Sequence, residues 1–142
     1  MEERNLGISE SRNIEAVVLE NPKAFVKTFY DLEVYKKAFQ ISLTVHKTSL
    51  SFPKIEQYAL ADQIRRASKG ICANIAEGFA KQQTSKADFK RFLLMALGSA
   101  HEMQVWTDYC RELGYIDDET AKFWSKEYIS VTRMLQTLIS KV

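Results

Sequence analysis

Apolar residues return every three or four positions along four separate stretches of this chain, and that spacing belongs to helices packed on one face. The first stretch, opened by Asp31 as a cap, carries Val34, Ala38, Ile41, Val45 and Thr48. Phe52-Pro53 interrupts it, because proline disfavours helix at the residue before it and suits the first turn of the next. The second helix is expected from about Lys54 to Glu77 on Leu60, Ile64, Ala67, Ile71 and Ile75, with Gly78 as its stop. Gly70 lies inside it and implies a kink or a close backbone approach. The third, residues 86–113, follows a Ser85/Asp88 capping pair. It uses Phe92, Ala96, Ser99, Met103, Trp106, Cys110 and Leu113, widened by Phe89, Leu93 and Leu97, and Gly114 stops it. The fourth, capped by Asp117 or Asp118, sits on Ala121, Trp124, Tyr128, Val131, Leu135 and Leu138.

No strand alternation follows residue 30, so the expected fold is all-α, an antiparallel up-down four-helix bundle over 31–142. Residues 1–30 read as a weakly ordered arm with one sticky segment, Ile14–Leu19. A length of 142 residues suits one domain, and five Gly and two Pro argue against turn-rich all-β architecture. Twenty basic against eighteen acidic residues leave only +2, so no global charge draws the chain to nucleic acid. There is no apolar run of membrane-spanning length and no signal-like start. Cys72 and Cys110 lack CxxC spacing and read as buried thiols, which favours a cytoplasmic setting.

Several blocks carry a resemblance. Asp31-Leu32-Glu33-Val34-Tyr35-Lys36-Lys37-Ala38 is followed by Phe52-Pro53-Lys54-Ile55-Glu56-Gln57-Tyr58-Ala59-Leu60. Then come Gln63-Ile64-Arg65-Arg66-Ala67, Asn74-Ile75-Ala76-Glu77-Gly78, and Ala96-Leu97-Gly98-Ser99 with Glu102. In this order, over residues 29–140, the chain resembles the four-helix-bundle proteins encoded in intervening sequences of bacterial 23S rRNA genes. The resemblance implies a ring assembly, usually a homopentamer, and nucleic-acid binding as the usual suggestion for a function not firmly assigned. A more distant likeness is to the accessory protein of diversity-generating retroelements, which works alongside a reverse transcriptase and RNA. Tyr35, Gly70 and Cys72 depart from the family pattern, where Trp, Ser and Pro are common. The last two fall where the family's second helix bends, so a milder bend, or one at Gly70, is expected here.

Two groups of residues stand out as candidate sites. Gln63, Arg66, Gly70, Asn74 and Glu77 line one stripe of the second helix near the edge of the core. With Ser99 and Glu102 on the third helix, Gln63, Asn74 and Glu77 are expected to form a structural polar network. Arg65, Arg66, Lys69, Lys81, Lys86, Lys90 and Arg91 form a basic set opposed in the same span only by Asp62, Glu77 and Asp88. Repeated around a ring, such a set would add weak phosphate contacts into avidity.

Catalysis has little to rest on. His46 and His101 lie on different helices, and the chain has no HExxH, no paired Glu-x-x-His, no glycine-rich phosphate loop and no nucleophile elbow. No metal or cofactor is expected. Phe89, Leu94, Phe123, Ile129, Met134 and Ile139 exceed what one bundle seam needs and ask for a second copy of the chain. The expected function is a non-catalytic homo-oligomer that binds RNA or DNA through the basic residues. The alternative is an adaptor whose ring surface and arm, through Ile14–Leu19, dock a protein partner.

Overall fold

The computed structural model describes residues 26–142. The N-terminal segment, including Ile14–Leu19, lies outside the described residues. Four helices follow one another: α1 Glu33–Ser49, α2 Leu60–Lys81, α3 Lys86–Glu112 and α4 Asp118–Lys141. Each packs on the next, and α4 returns to α1, which closes an antiparallel up-down bundle. Among the described residues there is no strand, and no helix is long and apolar enough to cross a membrane.

The apolar stripes meet along the bundle axis. Val34, Ala38, Ile41 and Val45 of α1 face Ile64, Ile71 and Ile75 of α2 and the large side chains Trp124, Tyr128 and Leu135 of α4, all buried. In α3 the buried line is Phe89, Leu93, Ala96, Ala100, Met103, Thr107 and Cys110. It is rotated from the expected one: Phe92, Ser99 and Trp106 are only half-buried, and Leu113 is exposed. The cause is that α3 is apolar on two faces, so spacing alone does not select the inner one. Phe89, counted above as surplus, belongs to the core, while Leu94, Phe123 and Ile129 remain exposed. Cys72 and Cys110 are free and buried, and burial pushes both thiols up to about 12.

The helix ends correct three expectations. Asp31 does not cap α1; its carboxylate accepts the Lys27 and Thr28 amides, each at 3.1 Å, and Leu32 stands at the helix start. Helix α2 begins at Leu60 rather than Lys54, because the chain after Pro53 makes a 3-10 turn over Lys54–Glu56 and is then held by side chains. Gln57 donates from Nε2 to the Ser49 and Phe52 carbonyls, both at 3.0 Å, and Glu56 Oε1 accepts the Leu60 amide at 3.1 Å. Gln57 thus satisfies carbonyls at and just past the end of α1, and the Glu56 carboxylate takes the first amide of α2.

Gly78 is no stop: α2 runs through it to Lys81. A Cβ there would lie 2.9 Å from Phe92 Cβ and 3.2 Å from the Phe89 carbonyl oxygen, so it is the glycine of close approach. At Gly70 the nearest atom would be Ser99 Oγ, at an ordinary 3.9 Å, and α2 is one helix through Gly70 and Cys72.

The other caps follow the sequence. Ser85 Oγ accepts the Asp88 amide at 3.0 Å, and Asp117 accepts that of Thr120 at 2.8 Å; the Thr120 hydroxyl first, and then this amide, hold the Asp117 carboxyl below its ordinary value. Gly114, at φ +80°, ends α3 in a Schellman arrangement: Tyr115 N–H reaches the Cys110 carbonyl and Gly114 N–H that of Arg111. The turn delivers Tyr115 onto the Phe52 ring, and its hydroxyl donates to Glu56 Oε2 at 2.7 Å.

Candidate nucleic-acid interface

The seven basic residues fall into separate places, because α2 carries them along its length. Arg66 and Lys81 are fifteen positions apart, which a helix turns into about 22 Å. Lys81, Lys86, Lys90 and Arg91 gather where α2 turns into α3, while Arg65, Arg66 and Lys69 lie toward the other end of α2.

At the α2–α3 tip the half-buried Phe92 ring organises two of the cations. Arg91 Cζ stands 4.6 Å from the ring centroid and Lys81 Nζ 5.9 Å, within the reach of cation–π attraction. Arg91 also lies 3.6 Å from Asp88 Oδ1. Among the described residues Lys81, Lys86 and Lys90 have no ion-pair partner, and Lys86 and Lys90 are exposed. The N-terminal end of the α3 dipole adds positive potential to the same place.

The other three basic residues have different tasks. Arg66 is exposed and pairs with Asp62 one turn away at 3.0 Å. Arg65 is a clamp: Nη1 donates to Ser49 Oγ at 2.7 Å and to Gln57 Oε1 at 3.3 Å, and Nη2 to the Gln57 carbonyl at 2.8 Å. The fork of the guanidinium thus ties α2 to the end of α1 and to the loop between them. Lys69 is exposed one turn beyond Arg65.

The expected polar network forms only in part. Gln63 Nε2 donates across the α2–α3 seam to Glu102 Oε2 at 3.2 Å. Asn74 bonds instead to the Gly70 carbonyl of its own helix at 2.9 Å, and Glu77 points to solvent. Ser99 is half-buried beside Gly70 without joining the pair. Gly70 and Asn74 are a turn apart on one helix, so the backbone carbonyl is nearer to the amide than any side chain of α3.

His46, which no metal motif claims, has its charged neighbours on another helix, where sequence spacing does not reveal them. It faces Arg65 and Lys69 across the α1–α2 seam, and its Nδ1 is buried without a hydrogen-bond partner among the described residues. Burial first, then the charges of Lys69 and Arg65, hold the imidazole below its ordinary value. Gln57 and Ser49, the partners of the Arg65 clamp, were missed too; a polar residue eight positions before an arginine is no recognisable motif. Among the described residues no three His, Cys, Asp or Glu side chains cluster as a metal site.

The tip thus holds two cations against the Phe92 ring, with exposed Lys86 and Lys90 beside them. Solved structures include a likeness with a TM-score of 0.68 and 24% identity, covering 75% of this chain and 95% of the other. It is the crystal structure of a protein of unknown function from the S23 ribosomal protein family of Bacteroides thetaiotaomicron. No curated protein matches the chain. The family model for the 23S rRNA-intervening sequence protein matches residues 30–137, nearly the whole bundle, and the chain belongs to that family.

Proposed function

We propose that this chain is a non-catalytic, self-assembling helical bundle that binds RNA or DNA through phosphate contacts. The observation that carries this reading is the α2–α3 tip, where Lys81, Lys86, Lys90 and Arg91 share one corner with Asp88 as the neighbouring acid. Phosphate contacts of this kind need no base-reading motif, only cations held near one another and a backbone to meet them. Self-assembly is supported by Leu94, Met95, Val105 and Tyr109, which leave one outward side of α3 apolar and about half exposed. A ring of five copies, as the family resemblance implies, would repeat the tip five times. Two free buried thiols fit a reducing cytoplasm.

The experiment is fluorescence anisotropy of a labelled single-stranded RNA with the full chain at low salt, beside the mass of the native particle. Binding that weakens as salt rises supports the reading; absence of binding at about 50 mM salt removes it.

One observation favours the adaptor reading. Ile55 and Tyr58 are 83% and 95% exposed on a loop that Gln57, Glu56 and Arg65 hold in one shape. A preorganised loop presenting bare apolar side chains suits a protein groove. Tyr58→Ser would then abolish capture of a protein partner and leave RNA binding unchanged.

A further inference from the structure

Where the end of α1 packs on the start of α2, positive charge gathers, and among the described residues neither Arg65 nor Lys69 is ion-paired to a carboxylate. Arg65 Nη1 donates to Ser49 Oγ at 2.7 Å, and His46 stands three residues before Ser49 on α1, so the guanidinium reaches α1 one turn from the residue that carries the imidazole. Lys69 follows one turn after Arg65, and its charge acts on the His46 ring more strongly than that of Arg65. Lys47 neighbours His46 on α1 itself.

The acids on the surrounding elements are engaged elsewhere. Glu56 accepts from Tyr115 and from the Leu60 amide, Asp62 pairs with Arg66, and Glu127 of α4 pairs with Lys37 at 3.2 Å. Glu77 lies eight positions past Lys69, about 12 Å along α2. Arg65 cannot swing away to relieve the crowding, because Ser49 and Gln57 pin its fork. The pinned charge of Arg65, with exposed Lys69 one turn away, raises the potential beside His46, and an oxyanion is the chemistry that lowers it.

We propose that His46, Arg65 and Lys69 form a second phosphate-binding subsite in the α1–α2 seam, away from the α2–α3 tip. Under the nucleic-acid reading above, on which this assignment of the ligand rests, the occupant is a backbone phosphodiester of the bound strand. Arg65 supplies a fixed field, Lys69 closes over the anion from the exposed side, and His46 completes the set when protonated.

Proton uptake is the signature of this subsite. In the free protein burial first, and then the charges of Lys69 and Arg65, disfavour the imidazolium; a bound phosphate opposes the field of the two cations, so the ring gains a proton as the anion arrives. Affinity for RNA therefore rises as pH falls through the His46 titration. A rise of one half to one unit in the His46 pKa corresponds to about a threefold to tenfold gain in affinity.

The test is an NMR titration of the histidine ring signals of the full chain, alone, with inorganic phosphate and with single-stranded RNA. His101, exposed on α3, is the internal reference. A His46 pKa that rises by about half a unit or more with either ligand, and less in Lys69→Ala, supports the subsite. His46→Gln should lose the gain in RNA affinity between about pH 7.5 and pH 5.5. RNA binding with a His46 titration that neither ligand moves overturns the subsite and leaves the nucleic-acid reading standing. A shift with inorganic phosphate in a chain that retains no RNA supports the anion site and overturns that reading of its ligand.

Discussion

Gly78 and Phe92 are packed so closely that a Cβ on the glycine would sit 2.9 Å from Phe92 Cβ. The Phe89 carbonyl oxygen, at 3.2 Å, blocks the other way out, and backbone does not yield as a side-chain end does. Gly78→Ala should therefore destabilise the bundle by about 1–3 kcal/mol, the cost of overpacking a core. Gly70→Ala, with only Ser99 Oγ at 3.9 Å, should gain up to about 1 kcal/mol from helix propensity. Urea midpoints of the two variants should move in opposite directions.

This pair also shows what spacing in a sequence does and does not determine. A glycine at the end of an apolar stripe looks like a C-terminal stop whether it ends a helix, as Gly114 does at φ +80°, or lets another helix approach, as Gly78 does. The four helices were legible because each inner face repeats with the helical period and because Ser85 and Asp117 mark their starts. The inner face of α3 was not, since Leu94 and Val105 give it a second apolar side. The basic residues were legible as types. Their division into a tip, an ion pair, a clamp and a seam was hidden, because Arg65 meets Ser49 and His46 only once α1 and α2 are side by side.

The Arg65 clamp makes a second prediction. Arg65→Ala would leave Ser49 Oγ, Gln57 Oε1 and the Gln57 carbonyl without their charged donor in a half-buried place. The expected loss is about 1.5–3 kcal/mol, and Arg65→Lys should recover little, because an ammonium does not reproduce the fork. Chemical denaturation checks the size, and amide exchange of residues 54–59 should rise in both variants.

The pH dependence of stability has a definite sign at His46. Its folded value lies below the ordinary 6.5, so the unfolded chain binds the proton more readily. The contribution of a neutral His46 is fully present above pH 6.5 and is lost as pH falls through its folded value. Thermal melts of the parent should drop over that window, and those of His46→Gln should drop less.

The apolar side of α3 makes a fourth. Val105→Glu, at a residue 50% exposed, should change the folding stability of the single bundle by no more than about 0.5 kcal/mol. Leu94→Glu, at 49% exposure, should behave alike. If the side packs on another copy, the same substitutions bury a charge there and should reduce the native particle to single chains in sedimentation.

The most direct measurement is the salt dependence of RNA affinity for the parent and for a variant with Lys81, Lys86, Lys90 and Arg91 all changed to Gln. The parent should show a linear fall of log affinity with log salt, and the variant should bind weakly with a slope lower by about three. Equal slopes in the two proteins, or a parent that ignores RNA at low salt, would contradict phosphate binding by the α2–α3 tip.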